Sequence, residues 1–176
     1  MSVHLVLTVI ARDKPGIIEV LSQAVSDHGA NWLGSRMARL AGEFAGIVEV
    51  SVPDAQANDL TRALGDLESE GLRIQIAQSS APEAAAAGTR TLQLELVGND
   101  RPGIVKEIAQ ALARRGVNVD ELSTGCESAP MSGESLFRTT ARLEVPADVT
   151  PESLGQELEK IASDLMVDLT LDESAS

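Results

Sequence analysis

Residues 4–10 read as an apolar, largely β-branched run, from His4 through Leu5, Val6, Leu7, Thr8 and Val9 to Ile10. So little polar interruption is the pattern of a central strand. The period then changes: Ile17, Ile18, Leu21, Val25 and His28 recur at helical spacing until Gly29 stops the run. Asp13 is positioned to cap this helix and Pro15 to occupy its first turn. Two strands follow at 32–40 and 44–52, joined by a tight turn at Ala41, Gly42 and Glu43. Asp54 opens a second helix with the core stripe Leu60, Ala63, Leu64 and Leu67, ended by Gly71. A last strand at 72–76 alternates with Arg73 and Gln75, so it is half-buried.

The same pattern then recurs. Asp13, Pro15, Gly16, Ile17, Gln23, Ala24, Gly29 and Asn31 each have an identical residue 87 positions on: Asp100, Pro102, Gly103, Ile104, Gln110, Ala111, Gly116 and Asn118. Lys14 becomes Arg101, and most other differences are apolar exchanges. From Phe44/Phe137 and Pro53/Pro146 the offset is 93, so the second copy carries six extra residues, expected in the loop at 126–133. Its elements read as strands at 92–97, 117–124 and 137–145, a helix at 151–162 with Arg114 and Arg115 closing the earlier one, and a strand through Val167, Leu169 and Leu171.

Each copy is thus β-α-β-β-α-β. Right-handed crossovers make this an α+β fold: two tandem ferredoxin-like βαββαβ domains, each a four-stranded antiparallel sheet with two helices on one face. The expected domains are 1–79 and 91–172, with the small, Ala-rich segment 80–90 as linker and a frayed tail over 172–176. A unit of this size has a small core and gains by packing against another, and its bare sheet face and edges need cover, so self-association as a homodimer is expected.

Composition narrows the partners. The net charge is −13, with six basic against eleven acidic residues in 1–88 and eight against sixteen in 89–176. Neither half offers the basic footprint that direct nucleic-acid binding or an anionic membrane surface requires. One cysteine, Cys126, makes no internal disulfide, and with neither a leader pattern nor a long apolar run a cytoplasmic location is expected. His4, His28 and Cys126 form no metal-ligand spacing, Ser35 and Ser123 lack a nucleophile-elbow context, and no cofactor motif is present. No nucleophile, base and metal constellation can be assembled, so the chain reads as non-enzymatic.

What remains is the loop from the first strand into the first helix of each copy. A glycine directly after proline lets a ligand approach the main chain, and first-turn amides lack intrahelical partners and can receive a carboxylate. Asn31 and Asn118 begin the next strand, whose start is expected beside that loop. Amide donors with a neighbouring Asp and Asn can hold both ends of an amino-acid zwitterion. The same Asp, Pro and Gly are also what a well-made turn and cap require.

Asp13-Lys14-Pro15-Gly16-Ile17 at the first helix, with Asn31 at the second strand, resembles ACT domains, small regulatory modules that bind amino acids at a pairing interface. Asn31 and the segment Ser35-Arg36-Met37-Ala38-Arg39-Leu40-Ala41-Gly42-Glu43-Phe44 are similar to the first domain of the glycine cleavage system transcriptional repressor family, also two tandem ACT domains. The resemblance implies effector-binding loops at Asp13, Lys14, Pro15, Gly16, Ile17 and Asn31, and at Asp100, Arg101, Pro102, Gly103, Ile104 and Asn118. It implies glycine or serine as effector and regulation through contact with a DNA-bound activator. The alternatives are a ligand-free interaction module and a detached regulatory subunit of a metabolic enzyme. Copy two departs after its loop, with Ser123-Thr124 and the insertion where copy one has Ser35-Arg36, so the two sites are not expected to be equivalent.

Overall fold

Strand β1 (Ser2–Arg12) supplies hydrogen bonds on both sides, to β3 (Glu43–Pro53) and to β4 (Leu72–Ser79), both antiparallel; β2 (Asn31–Leu40) adds the edge beyond β3. Alternation puts Leu5, Leu7, Val9 and Ala11 in a core shared with Ile17, Leu21 and Val25 of α1 (Ile17–Asp27) and Leu60 and Leu64 of α2 (Ala57–Asp66). Burying each large side chain contributes about 1.5–3 kcal/mol. The other face of β1 carries Val6, Thr8 and Ile10, none of them buried. The apolar run therefore marks a central strand covered on one face only, not on both.

The structure is a computed structural model describing residues 1–79, 88–128 and 134–173, in two compact units, Met1–Glu83 and Ala84–Ser176. Unit 2 repeats the plan with β5 (Arg90–Asn99), α3 (Ile104–Arg114), β6 (Asn118–Ser128), β7 (Ser135–Val145), α4 (Pro151–Leu165) and β8 (Val167–Glu173). Strand orders are β2-β3-β1-β4 and β6-β7-β5-β8, the expected ferredoxin-like α+β arrangement. A bulge recurs at one place in both edge strands, at Leu33 between Trp32 and Gly34 and at Asp120 between Val119 and Glu121.

Local chemistry moves several element ends. Helix α1 begins two residues after Pro15, because Gly16 is held left-handed at φ 94° and its carbonyl receives the first helical bond, from the Val20 N–H at 3.0 Å. Asp13 thus lies outside the helix and caps nothing. The second helix of unit 1 is broken by short 3-10 turns at Asp54–Gln56 and Leu67–Glu70 before Gly71 ends it. In unit 2, α4 runs three residues past the expected end at 162, stopping where Met166 turns left-handed without a glycine. Thr150 caps α4 properly, its Oγ1 accepting from the Ser153 N–H at 3.2 Å.

Register locates the six extra residues. Glu127 pairs with Leu136 as Leu40 pairs with Glu43, and Cys126 is still in register with Phe137, so the added chain lies between Glu127 and Leu136 and lengthens the β6–β7 hairpin. That shifts the expected site at 126–133 towards the tip, of which 129–133 lie outside the described residues. Positions 80–87 of the expected linker and 174–176 of the expected tail also lie outside them.

In unit 1 the corresponding turn has only Ala41 and Gly42, at φ 51° and 83°, the geometry of a two-residue hairpin in which both positions are left-handed. Ala41 is disfavoured there. Ala41→Asn is expected to raise stability by about 0.5–1 kcal/mol, read as a higher urea midpoint. Gly46 sits so close to β2 that a Cβ would run into the Arg36 carbonyl and the Met37 backbone and side chain. Gly46→Ala is expected to cost about 2–4 kcal/mol in the same assay.

Candidate functional site

The loops between first strand and first helix are built alike. The Asp13 N–H donates to the Gly42 carbonyl at 3.0 Å and the Asp100 N–H to the Ser135 carbonyl at 2.9 Å, tying each loop to the tip of its own β-hairpin. Gly16 and Gly103, at φ 94° and 101°, then turn the chain so that Ile17 and Ile104 drop into the cores, where both are buried. Because Val20 and Glu107 are the first residues bonded back to these glycines, the preceding first-turn amides face outward without helical partners.

The charged residue of each motif makes a contact within its own unit that was not expected. Lys14 Nζ donates to the Glu70 carbonyl at 2.8 Å, and Arg101 Nη2 to the Asp164 carbonyl at 2.8 Å. Both cations thus close the C-terminal end of the second helical segment of their own unit, where they also complement its dipole. Asp13 accepts from Arg39 Nη1 at 3.3 Å. This pair is solvent-exposed, so it orients the carboxylate and adds little stability.

Asn31 and Asn118 are not beside the loops. Strand β2 runs in the same direction as β1, so the crossover helix returns the chain to the far end of the sheet before β2 begins. Asn31 pairs with Ser51, eight positions along β3 from the Glu43 that faces Arg12, about 25 Å away at strand rise. Asn118 likewise pairs with Glu144, nine positions from Ser135. Its Nδ2 donates to Asp120 Oδ1 at 2.9 Å.

Asp13, Lys14, Gly16 and Ile17 do come together, with Ile18, Glu19 and Phe44, around an open depression of about 270 Å³. Phe44 and Arg39 were not legible as site residues, because their approach depends on hairpin register; Ile18 and Glu19 follow the motif directly on α1. Glu19 adds a carboxylate beside the first-turn amides, and its counterpart in α3 is Lys106; the two mouths therefore differ in sign at one position. Arg36 lies elsewhere, with Gly34, Ser35, Ile47 and Glu49 around a depression on the sheet. Among the described residues, no group of three or more His, Cys, Asp and Glu could hold a metal ion. None of their helices is long and apolar enough to cross a membrane.

Two βαββαβ units with matching helix-start loops define a tandem α+β module. ACT domain models match residues 3–77 and 92–162, and the chain belongs to the ACT domain family. Over its whole length it resembles a solved protein of unknown function from Galdieria sulphuraria, with 32% identity, 99% of this chain and 100% of that one covered, and a TM-score of 0.87. It also shares the fold of a candidate glycine cleavage system transcriptional repressor, at 21% identity, 100% and 99% coverage and a TM-score of 0.71. Among curated proteins none matches.

If Lys14 is a helix clasp and Asp13 is not a cap, their removal has unequal effects. Lys14→Met is expected to cost about 1 kcal/mol and Asp13→Ala at most about 0.5 kcal/mol, measured by urea denaturation.

Proposed function

We propose that this chain is a non-catalytic, amino-acid-responsive regulator that controls glycine cleavage genes through contact with a DNA-bound activator, with glycine or serine as its effector. The reading rests on one observation above others: in both units a left-handed glycine leaves partnerless amides at the start of a helix, beside an Asp, in a small open depression in unit 1. Membership of the ACT family and the shared fold with a candidate glycine cleavage repressor support it. The acidic balance suits a partner that is protein and not nucleic acid.

In this reading the effector sites comprise the two loops, Asp13 to Ile17 and Asp100 to Ile104, with Ile17 and Ile104 as buried supports. Asn31 and Asn118 join a site only if the loop of one unit meets the strand start of another, since within a unit they are at opposite ends. The homodimer proposed for the domains 1–79 and 91–172 would have to supply that pairing. A second reading, a ligand-free interaction module, is favoured by the architectural work that Lys14, Arg101, Ile17 and Ile104 already do.

Calorimetric titration of the full chain with glycine and serine separates the two. Saturable heat that Gly16→Val or Gly103→Val reduces is the expected result, with the fold of each variant checked by circular dichroism. No heat for either amino acid, with a folded protein, rejects the proposed effector and leaves the interaction module. Affinity capture from cells tests the partner: an enzyme of amino-acid metabolism, in place of a transcription activator, would reject the gene-control role.

A further inference from the structure

Unit 2 holds a cleft of about 50 Å³ between α3 and the first half of β6. Val105, Ile108, Leu112, Val119 and Leu122 wall it, and its floor includes Thr139 of β7. Thr139 is only 4% exposed, and its hydroxyl has no hydrogen-bond partner. An unpaired buried hydroxyl carries a desolvation penalty that a hydrogen-bonding partner would relieve. Val105, Val119 and Leu122 also remain exposed although they face this space.

The corresponding region of unit 1 explains how the opening arises. Trp32 stands where unit 2 has Val119, and Met37 where it has Thr124; both pack against the unit 1 core. Gly46 replaces Thr139, so no hydroxyl is present to be satisfied. In unit 2 those two bulky groups are lost and Ala141 stands where unit 1 has Val48, while Leu122 replaces Ser35 and Thr139 brings the hydroxyl.

We propose that this cleft binds a small, uncharged aliphatic molecule carrying one hydrogen-bonding group. Its lining contains no ionisable side chain, so a charged group would be desolvated without a partner there. Water is a poor occupant: the space exceeds what one molecule needs, while an ordered water seeks two to four polar partners and the lining side chains offer one. An apolar body supplies the packing that Trp32 gives in unit 1, and a single polar atom meets Thr139. The cleft adjoins the helix-start loop, Val105 following Ile104, but its polar group is Thr139 on β7 and it does not depend on the role proposed for the loops.

Methyl-region NMR of the full chain, titrated with isoamyl alcohol, tests this. The expected result is saturable shifts at Val105, Ile108, Val119 and Leu122, accompanied by a rise in thermal midpoint with alcohol concentration. Val119→Trp, importing the unit 1 plug, should abolish both. Thr139→Val should keep the fold and bind the alcohol about fivefold more weakly, having lost one neutral hydrogen bond; this variant decides the matter if the tryptophan variant does not fold. Unsaturable shifts, undiminished binding in either variant, or shifts at these methyls on simple dilution would overturn the proposal, the last because a second copy of the chain would then be the occupant.

Discussion

Each unit depends on one strand that must be hydrogen-bonded on both edges yet buried on only one face. β1 and β5 meet this by alternation, Leu5, Leu7 and Val9 in one unit and Leu92, Leu94 and Leu96 in the other pointing under the helices. Their two antiparallel neighbours fix the direction of every other element. Both first loops consequently fall at the hairpin-tip end of the sheet, where the Asp13 and Asp100 amides are tied down, and both second-strand starts fall at the opposite end. Placement of chemistry here follows from strand direction, before any side chain is considered.

The repeat, the element order and the α+β class were legible because they are written locally, in periodicity and in glycines that end helices. The fixed offsets between copies even carried the six-residue insertion to within a few residues of the hairpin tip. The differences have several causes. Lys14 meets Glu70 across 56 residues and Arg101 meets Asp164 across 63, and neither partner is marked by sequence. Asp13 looked like a cap because capping is a local rule; the left-handed Gly16 moved the helix start beyond its reach and left the carboxylate to Arg39. Asn31 follows the loop closely in sequence yet starts at the other end of the sheet, because a right-handed crossover returns the chain to the end from which the first strand set out.

Duplication makes the differences between units as informative as their likenesses. What both copies retain is the glycine turn, the cation on the helix end, the hairpin tie and the edge-strand bulge. The first three hold the loop in place, so their persistence alone does not separate a ligand site from a folding device. The substitutions that do discriminate occur in space between elements: Glu19 against Lys106 at the helix start, and Trp32, Met37 and Gly46 against Val119, Thr124 and Thr139. The first changes the sign of charge beside the amide donors. The second set trades a filled core margin for an open one.

These two kinds of change predict different dependence on assembly. A zwitterion held by both a loop and an asparagine needs two units, since a single unit keeps those groups about 25 Å apart; its affinity must then be linked to whatever equilibrium brings units together. The unit 2 cleft is complete within one sheet and its own helix, and requires no such partner. On the proposed reading, recognition at the loops would couple to association, whereas a molecule held in the cleft would act first on the stability of the edge strand β6. Since β6 also carries the lengthened hairpin, anything that fixes its base restrains the one element by which the second copy departs most from the first.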